Sequence, residues 1–158
     1  MTVLEVARLF TFVREAGENR GLRVESIQHW SCGQFGDSWC CEFATMVLDL
    51  CYGGNAPVPR QGSCEAVHQL AKAMGWLTDA PRPGDLFLRL HADTGLAHHI
   101  GFVIAVNADG SIDTIAGNTS VDGTSSNGDR VAEHTLTPPP GTIAYVAYPR
   151  DAFVTPLS

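Results

Sequence analysis

The stretch Pro81-Arg82-Pro83-Gly84-Asp85 divides a 158-residue chain into halves whose apolar residues keep different periods. Two prolines and a glycine cannot continue an element, so the run must be a turn. Before it, apolar residues recur at helical spacing. Thr2 and Glu5 match a capping box. Val3, Val6, Ala7, Phe10 and Val13 then follow a helix that Gly17 can close. A short second helix covers Arg23 to Trp30. A third starts after Asp37 or Ser38 as N-cap, carries Cys40, Phe43, Ala44, Val47, Leu48 and Cys51 on one stripe, and stops at Gly53-Gly54. The fourth runs from Ser63 as N-cap through Val67, Leu70 and Met74 to Gly75. After the turn, short runs rich in β-branched and aromatic residues read as strands: Leu86 to Leu90, His98 to Val106, Ser111 to Gly117, Arg130 to Leu136 and Thr142 to Tyr148. Helices first and strands after predict an α+β domain, residues 1–158, with a helical half over about 1–80 packed on an antiparallel sheet over about 81–150. The length suits one core.

Composition narrows the function classes. The chain is 44% hydrophobic and 17% charged, which excludes wholesale disorder. Its formal charge of -7 argues against nucleic-acid binding, which needs clustered Lys and Arg, and gives no attraction to an anionic membrane or wall. No apolar run approaches the roughly 20 residues of a membrane span. Glu5 and Arg8 interrupt the first apolar segment, so it does not read as a secretory signal. Synthesis in the cytoplasm is expected, with any export left to another device. Five irregularly spaced cysteines make a poor disulfide scaffold.

Where such a chain could carry chemistry is a narrower question. Cys40 falls in the first turn of the third helix, where the dipole and free N–H groups favour a thiolate. Core packing is the competing reading, and the better one for Cys51 and Cys64. Among six histidines, His29, His68 and His134 read as surface or local-packing residues and His91 lies in a loop. His98 and His99 open an apolar strand, where a polar side chain facing inward needs a reason. His99 shares a face with Gly101, Val103 and Ala105, and His98 with Ile100, Phe102 and Ile104. A four-residue loop, Asn107 to Gly110, pairs residues whose numbers sum to 217 and sets His99 opposite Asn118. A two-residue Asp109-Gly110 turn keeps them diagonal on one face. An odd loop would separate them. A cysteine, a base and a polar group that holds the base form a working set for acyl transfer.

Around these residues, "SWCCEFATMVLDL" resembles the nucleophile helix of CHAP domains, the cysteine, histidine-dependent amidohydrolases/peptidases. "PRPGDLF", "HHIGFVIAV" and "TIAGNTS" are similar to that family's turn into its first strand and the two strands after it, and the resemblance runs from about Ala16 to Tyr148. It implies a papain-like fold and hydrolysis of an amide bond in peptidoglycan, by an amidase or an endopeptidase, in proteins of bacterial or phage type. By the same resemblance Cys40 is the nucleophile, since it follows Trp39, and Cys41 takes a position where small residues are usual. His99 is the base, with Gly101 two places on, and Asn118 is its orienting partner. One departure is Ala116, where many members carry a glutamate; Asn118 is then expected to act alone or with a loop residue. Some members bind calcium through an acidic loop, but no dense Asp/Glu run precedes Cys40, so no metal or other cofactor is expected. Gln34 is a candidate second oxyanion donor.

The expected partner is a peptidoglycan peptide, reached by a groove lined by the loops His91 to Ala97 and Asn118 to Asp129. The expected state is a monomer. An injected antibacterial effector with the same chemistry, and so a cognate immunity protein, is one alternative. A non-catalytic module, with Cys32, Cys40, Cys41 and His98 or His99 binding zinc or filling the core, is another.

Overall fold

The computed structural model describes residues 1–120 and 127–150. Four helices precede a six-stranded antiparallel sheet: α1 (Val3–Arg8), α2 (Leu22–Trp30), α3 (Cys40–Tyr52) and α4 (Cys64–Met74), then β1 (Leu77–Thr78), β2 (Leu86–Leu90), β3 (Ala97–Val106), β4 (Ile112–Thr119), β5 (Arg130–Leu136) and β6 (Ile143–Val146). The strand order is β1-β6-β2-β3-β4-β5. The fold is therefore α+β, helices first, as the two hydrophobic periods predict. The short β1, paired with β6, has no counterpart among the predicted strands.

Several caps follow from residue chemistry. Thr2 and Glu5 form the capping box of α1, the Ser63 hydroxyl accepts from the Ala66 N–H, and Gly53 and Gly75 close α3 and α4 in the left-handed region. α1 is shorter than its apolar spacing suggests. It stops at Arg8, whose carbonyl accepts from both the N–H and the hydroxyl of Thr11. A threonine that bonds locally in this way competes with helix continuation. Gly17 closes no helix and instead bridges Arg20 in a small turn. The Pro-Gly-Asp turn is pinned from the far end of the chain: Arg150 pairs with the buried Asp85 at 2.5 Å, and the Tyr148 hydroxyl donates to the Gly84 carbonyl at 2.9 Å.

The main core lies between the helices and the sheet, with Phe43, Val47 and Leu48 of α3 against Ile100, Phe102 and Ile115. Phe87, Val103, Ile112 and Ala116 form a second cluster with Leu136, Ile143 and Tyr145. Both clusters match the alternation of β3. Gly101 is hemmed in by β2 and β4. A Cβ there would lie 2.6 Å from the Ile115 carbonyl oxygen and 2.7 Å from the Ala116 Cβ and the Phe87 ring. Gly101→Ala is accordingly expected to destabilise the fold by about 1–3 kcal/mol, read as a lower urea midpoint at unchanged slope.

The β3–β4 hairpin departs from both predicted loops. Val106 pairs with Ile112, leaving an odd connection, residues 107–111, with Gly110 at φ 85°. That loop alone would set His99 and Asn118 on opposite faces. A register shift between Val103 and Ala105 adds Ile104 to β3 as a bulge, however, and Val103↔Thr114 and Phe102↔Ile115 return to a sum of 217. Two irregularities cancel. The register expected of a four-residue loop thus returns at Val103↔Thr114 and Phe102↔Ile115 by a route the turn residues do not reveal.

Candidate active site

Trp39, not Asp37 or Ser38, is the N-cap of α3, and it offers no side-chain cap. The first intrahelical bond is Phe43 N–H to the Trp39 carbonyl, so the N–H groups of Cys40, Cys41 and Glu42 have no partner within the helix. Trp39 is fully buried, donates to Glu15 at 2.7 Å and packs edge-on to Phe43. Gly117 of β4 lies directly under both rings, where a Cβ would come within 2.8 Å of either. The aromatic before the cysteine thus fixes the start of α3 against the strand that carries Asn118.

Cys40 is the first residue of α3 and is 2% exposed. Its thiol lies beside Cys64, the first residue of α4, with the sulfurs 3.7 Å apart. The Cys64 contact and burial hold the Cys40 thiol well above its ordinary pKa, and His99 pulls the other way. His99 is fully buried, its ring 6.1 Å from that of Phe87, and neither ring nitrogen has a hydrogen-bond partner. Its influence on the thiol is therefore that of a close neighbour without a well-formed bond. Asn118, also fully buried, takes a left-handed backbone (φ 52°). Its amide nitrogen donates to the Ser38 hydroxyl at 2.5 Å and to Asn127 at 3.3 Å, while its amide oxygen is unpartnered. The unpaired groups are complementary, since an imidazole N–H donates and an amide oxygen accepts.

The other cysteines and histidines separate clearly. Cys41 is fully buried in the main core, and Cys51 is partly buried with its thiol pushed up to about 11 by burial. Cys32 is exposed. His98 is half-buried and stacks on His91 at 4.2 Å, and burial, with His91 and Arg89, lowers its pKa. His68 is buried against Glu65, as local packing predicts. At position 116 the buried alanine sits in the second core cluster, so no carboxylate reaches His99 from there. Ser38 and Asn127 hold Asn118 instead. Gln34 is exposed in the turn before α3, its N–H donating to the Asp37 carboxylate at 3.1 Å.

Residues assigned to the groove fall into two places. His91 and Ala92 line a cavity of about 250 Å³ with Arg89, His98 and Thr142, while Asn127, Gly128 and Asp129 line another with Glu15 and Asn19. Residues 121–126 of the predicted second loop lie outside the described residues.

Three further residues lie beside the expected set. Cys64 was assigned to core packing, yet a serine N-cap immediately before it signals the same helix-opening position that Cys40 holds. Ser38 was read as a cap. The third is Glu42, buried on α3 with both carboxyl oxygens unpartnered. A Cβ on Gly33 or Gly62 would strike this carboxyl, at 1.6 and 3.2 Å, so those glycines make room for it. With Cys32, Gln34, Asp37 and Ser38 it lines a polar pocket. Asp37 and Glu42 are its two carboxyl groups, and among the described residues no three His, Cys, Asp or Glu side chains are grouped to hold a metal ion.

Burial, reinforced by Asp37, raises the Glu42 carboxyl from 4.5 to about 7. The folded state therefore prefers the protonated form. That preference stabilises fully below about pH 4.5 and is lost as pH rises through about 7. Glu42→Gln, neutral throughout, is expected to be the more stable protein at pH 8 by about 2 kcal/mol, less than the full shift because water screens the pocket side. The difference should vanish at pH 4, and urea denaturation at the two pH values checks it.

A family model of the CHAP domain matches residues 31–118, which is 88 of the 158 residues and includes Cys40, His99 and Asn118. The chain belongs to the CHAP domain family, a family of peptidoglycan amidases and endopeptidases. The match is narrower than the span from Ala16 to Tyr148 over which the sequence resembles that family. No curated protein matches the chain. Among the described residues no helix is long and apolar enough to cross a membrane.

Proposed function

We propose that the protein hydrolyses an amide bond of peptidoglycan with Cys40 as nucleophile, His99 as general base and acid, and Asn118 as the group that orients His99. The observation that carries this reading is the meeting of a helix-opening Cys40 thiol with a buried histidine whose ring nitrogens are both unpartnered. Cys64 and burial favour the protonated thiol at rest. Chemistry then begins when His99 takes the proton, and the thiolate attacks the amide carbonyl. The oxyanion meets the Cys40 backbone N–H, which no helical bond uses, with Gln34 as the second donor. His99 returns the proton to the leaving amine, and a water activated by the same ring hydrolyses the thioester. Throughout, the Asn118 amide oxygen holds the ring by its second N–H.

Mass spectrometry of the products from purified sacculi tests the reading. New peptide amino termini are expected, at L-alanine for an amidase or within the stem or bridge for an endopeptidase. Absence of any released peptide at high enzyme concentration overturns the proposal.

A further inference from the structure

The contact between the first residues of α3 and α4 is not used by the hydrolytic reaction. Cys40 and Cys64 place their sulfurs 3.7 Å apart, both nearly buried, at 2% and 7% exposure. Each opens a helix, so the positive ends of two helix dipoles converge on the sulfur pair. α4 is held in place by Glu65, which accepts from the Ala97 N–H at 2.7 Å and so ties the start of α4 to the start of β3. A disulfide needs its sulfurs at about 2.05 Å. Closing this pair takes less than 2 Å of approach.

We propose that Cys40 and Cys64 form a modification site for hydroperoxides, in which Cys40 is oxidised and Cys64 resolves the product to a reversible disulfide. The first step uses the same deprotonation as the hydrolysis proposed above and rests on that reading for His99 as the base. The Cys40 thiolate attacks one oxygen of the peroxide, the O–O bond breaks, and the sulfur becomes a sulfenic acid while the other oxygen leaves as water or an alcohol. In the second step the Cys64 sulfur attacks the Cys40 sulfur, the S–O bond breaks, and a second water leaves with the Cys64 proton. Two thiols are oxidised by two electrons and one peroxide is reduced. The disulfide removes the nucleophile, yet protects it from the further oxidation that thiols cannot reverse. Cys41 does not serve Cys40 in this role, because adjacent residues on a helix project their side chains about 100° apart.

The test treats the full chain, and its Cys64→Ser, Cys41→Ser and Cys40→Ser variants, with hydrogen peroxide and measures intact mass and free thiols. The wild type is expected to lose about 2 Da and two of its five thiols, and to recover both with dithiothreitol. Cys41→Ser should do the same. Cys64→Ser should instead gain about 32 Da irreversibly as a sulfinic acid, and Cys40→Ser should form no disulfide. A 2 Da loss that persists in Cys64→Ser, or a wild type that gains oxygen as Cys64→Ser does, overturns the inference. Because mass and thiol count require no substrate, this result separates from that on sacculi. A protein that closes the disulfide but releases no peptides keeps the inference and loses the proposed function, and the converse holds equally.

Discussion

Replacing Cys40 by alanine is expected to reduce peptide release from sacculi by at least about 10⁴-fold while leaving the fold intact. The size follows from what is removed. Without a nucleophile no acyl-enzyme forms, and only substrate binding and the oxyanion donors remain. The fold should tolerate the change because the side chain is small, and its neighbours are another thiol and an imidazole that makes no hydrogen bond. Cys41→Ala is the informative control: it is equally buried and one residue away, but it packs in the main core. It should cost some stability and keep activity within a few-fold. Rates on sacculi beside thermal melts of both variants check the pair, and a Cys40→Ala protein that still releases peptides would eliminate the proposed nucleophile.

His99→Gln is expected to lower kcat/KM by roughly 10²–10⁴-fold, the range for removing a positioned general base. Glutamine fills similar space and can still donate to Asn118, but it cannot accept and return a proton at neutral pH. The shape of the pH profile distinguishes this from a packing defect. The wild type should work at neutral pH, because the base itself removes the thiol proton. The variant's residual rate should instead climb toward high pH, following ionisation of a thiol held above its ordinary value by Cys64 and burial. A variant slower by the same factor at every pH would speak for structural damage and against a base.

Much of this was legible in the residues because the signals were local. A capping box, a serine N-cap and two left-handed glycines each act within four residues, and Thr2, Ser63, Gly53 and Gly75 behave accordingly. The alternation of β3 placed Ile100 and Phe102 on the main-core face and Val103 on the other without knowledge of any other strand. What was not legible depended on contacts distant in sequence. The end of α1 is decided by a threonine hydroxyl that competes for a carbonyl, against an apolar spacing that continues past it. Cys64 lies 24 residues from Cys40, and only the packing of α4 on β3 brings the two sulfurs together. The partners of Asn118 are likewise remote: Ser38 is 80 residues upstream. Glu42 holds the first-turn place where helix acids are usually exposed, and Gly33 and Gly62 folding over it make it a buried one.

The odd connection after β3 and the extra residue at Ile104 are each a counting error that the other repairs. Neither can drift alone. Deleting Ile104, or lengthening the turn by one residue, would turn the side chains beyond the change to the opposite side of the ribbon and uncouple position 99 from position 118. Both changes made together should be silent. A related chain with a shorter or longer turn at this place is therefore expected to carry a matching gain or loss within the strand. An alignment that slides a gap freely between those two positions would put the histidine on the wrong side of the protein.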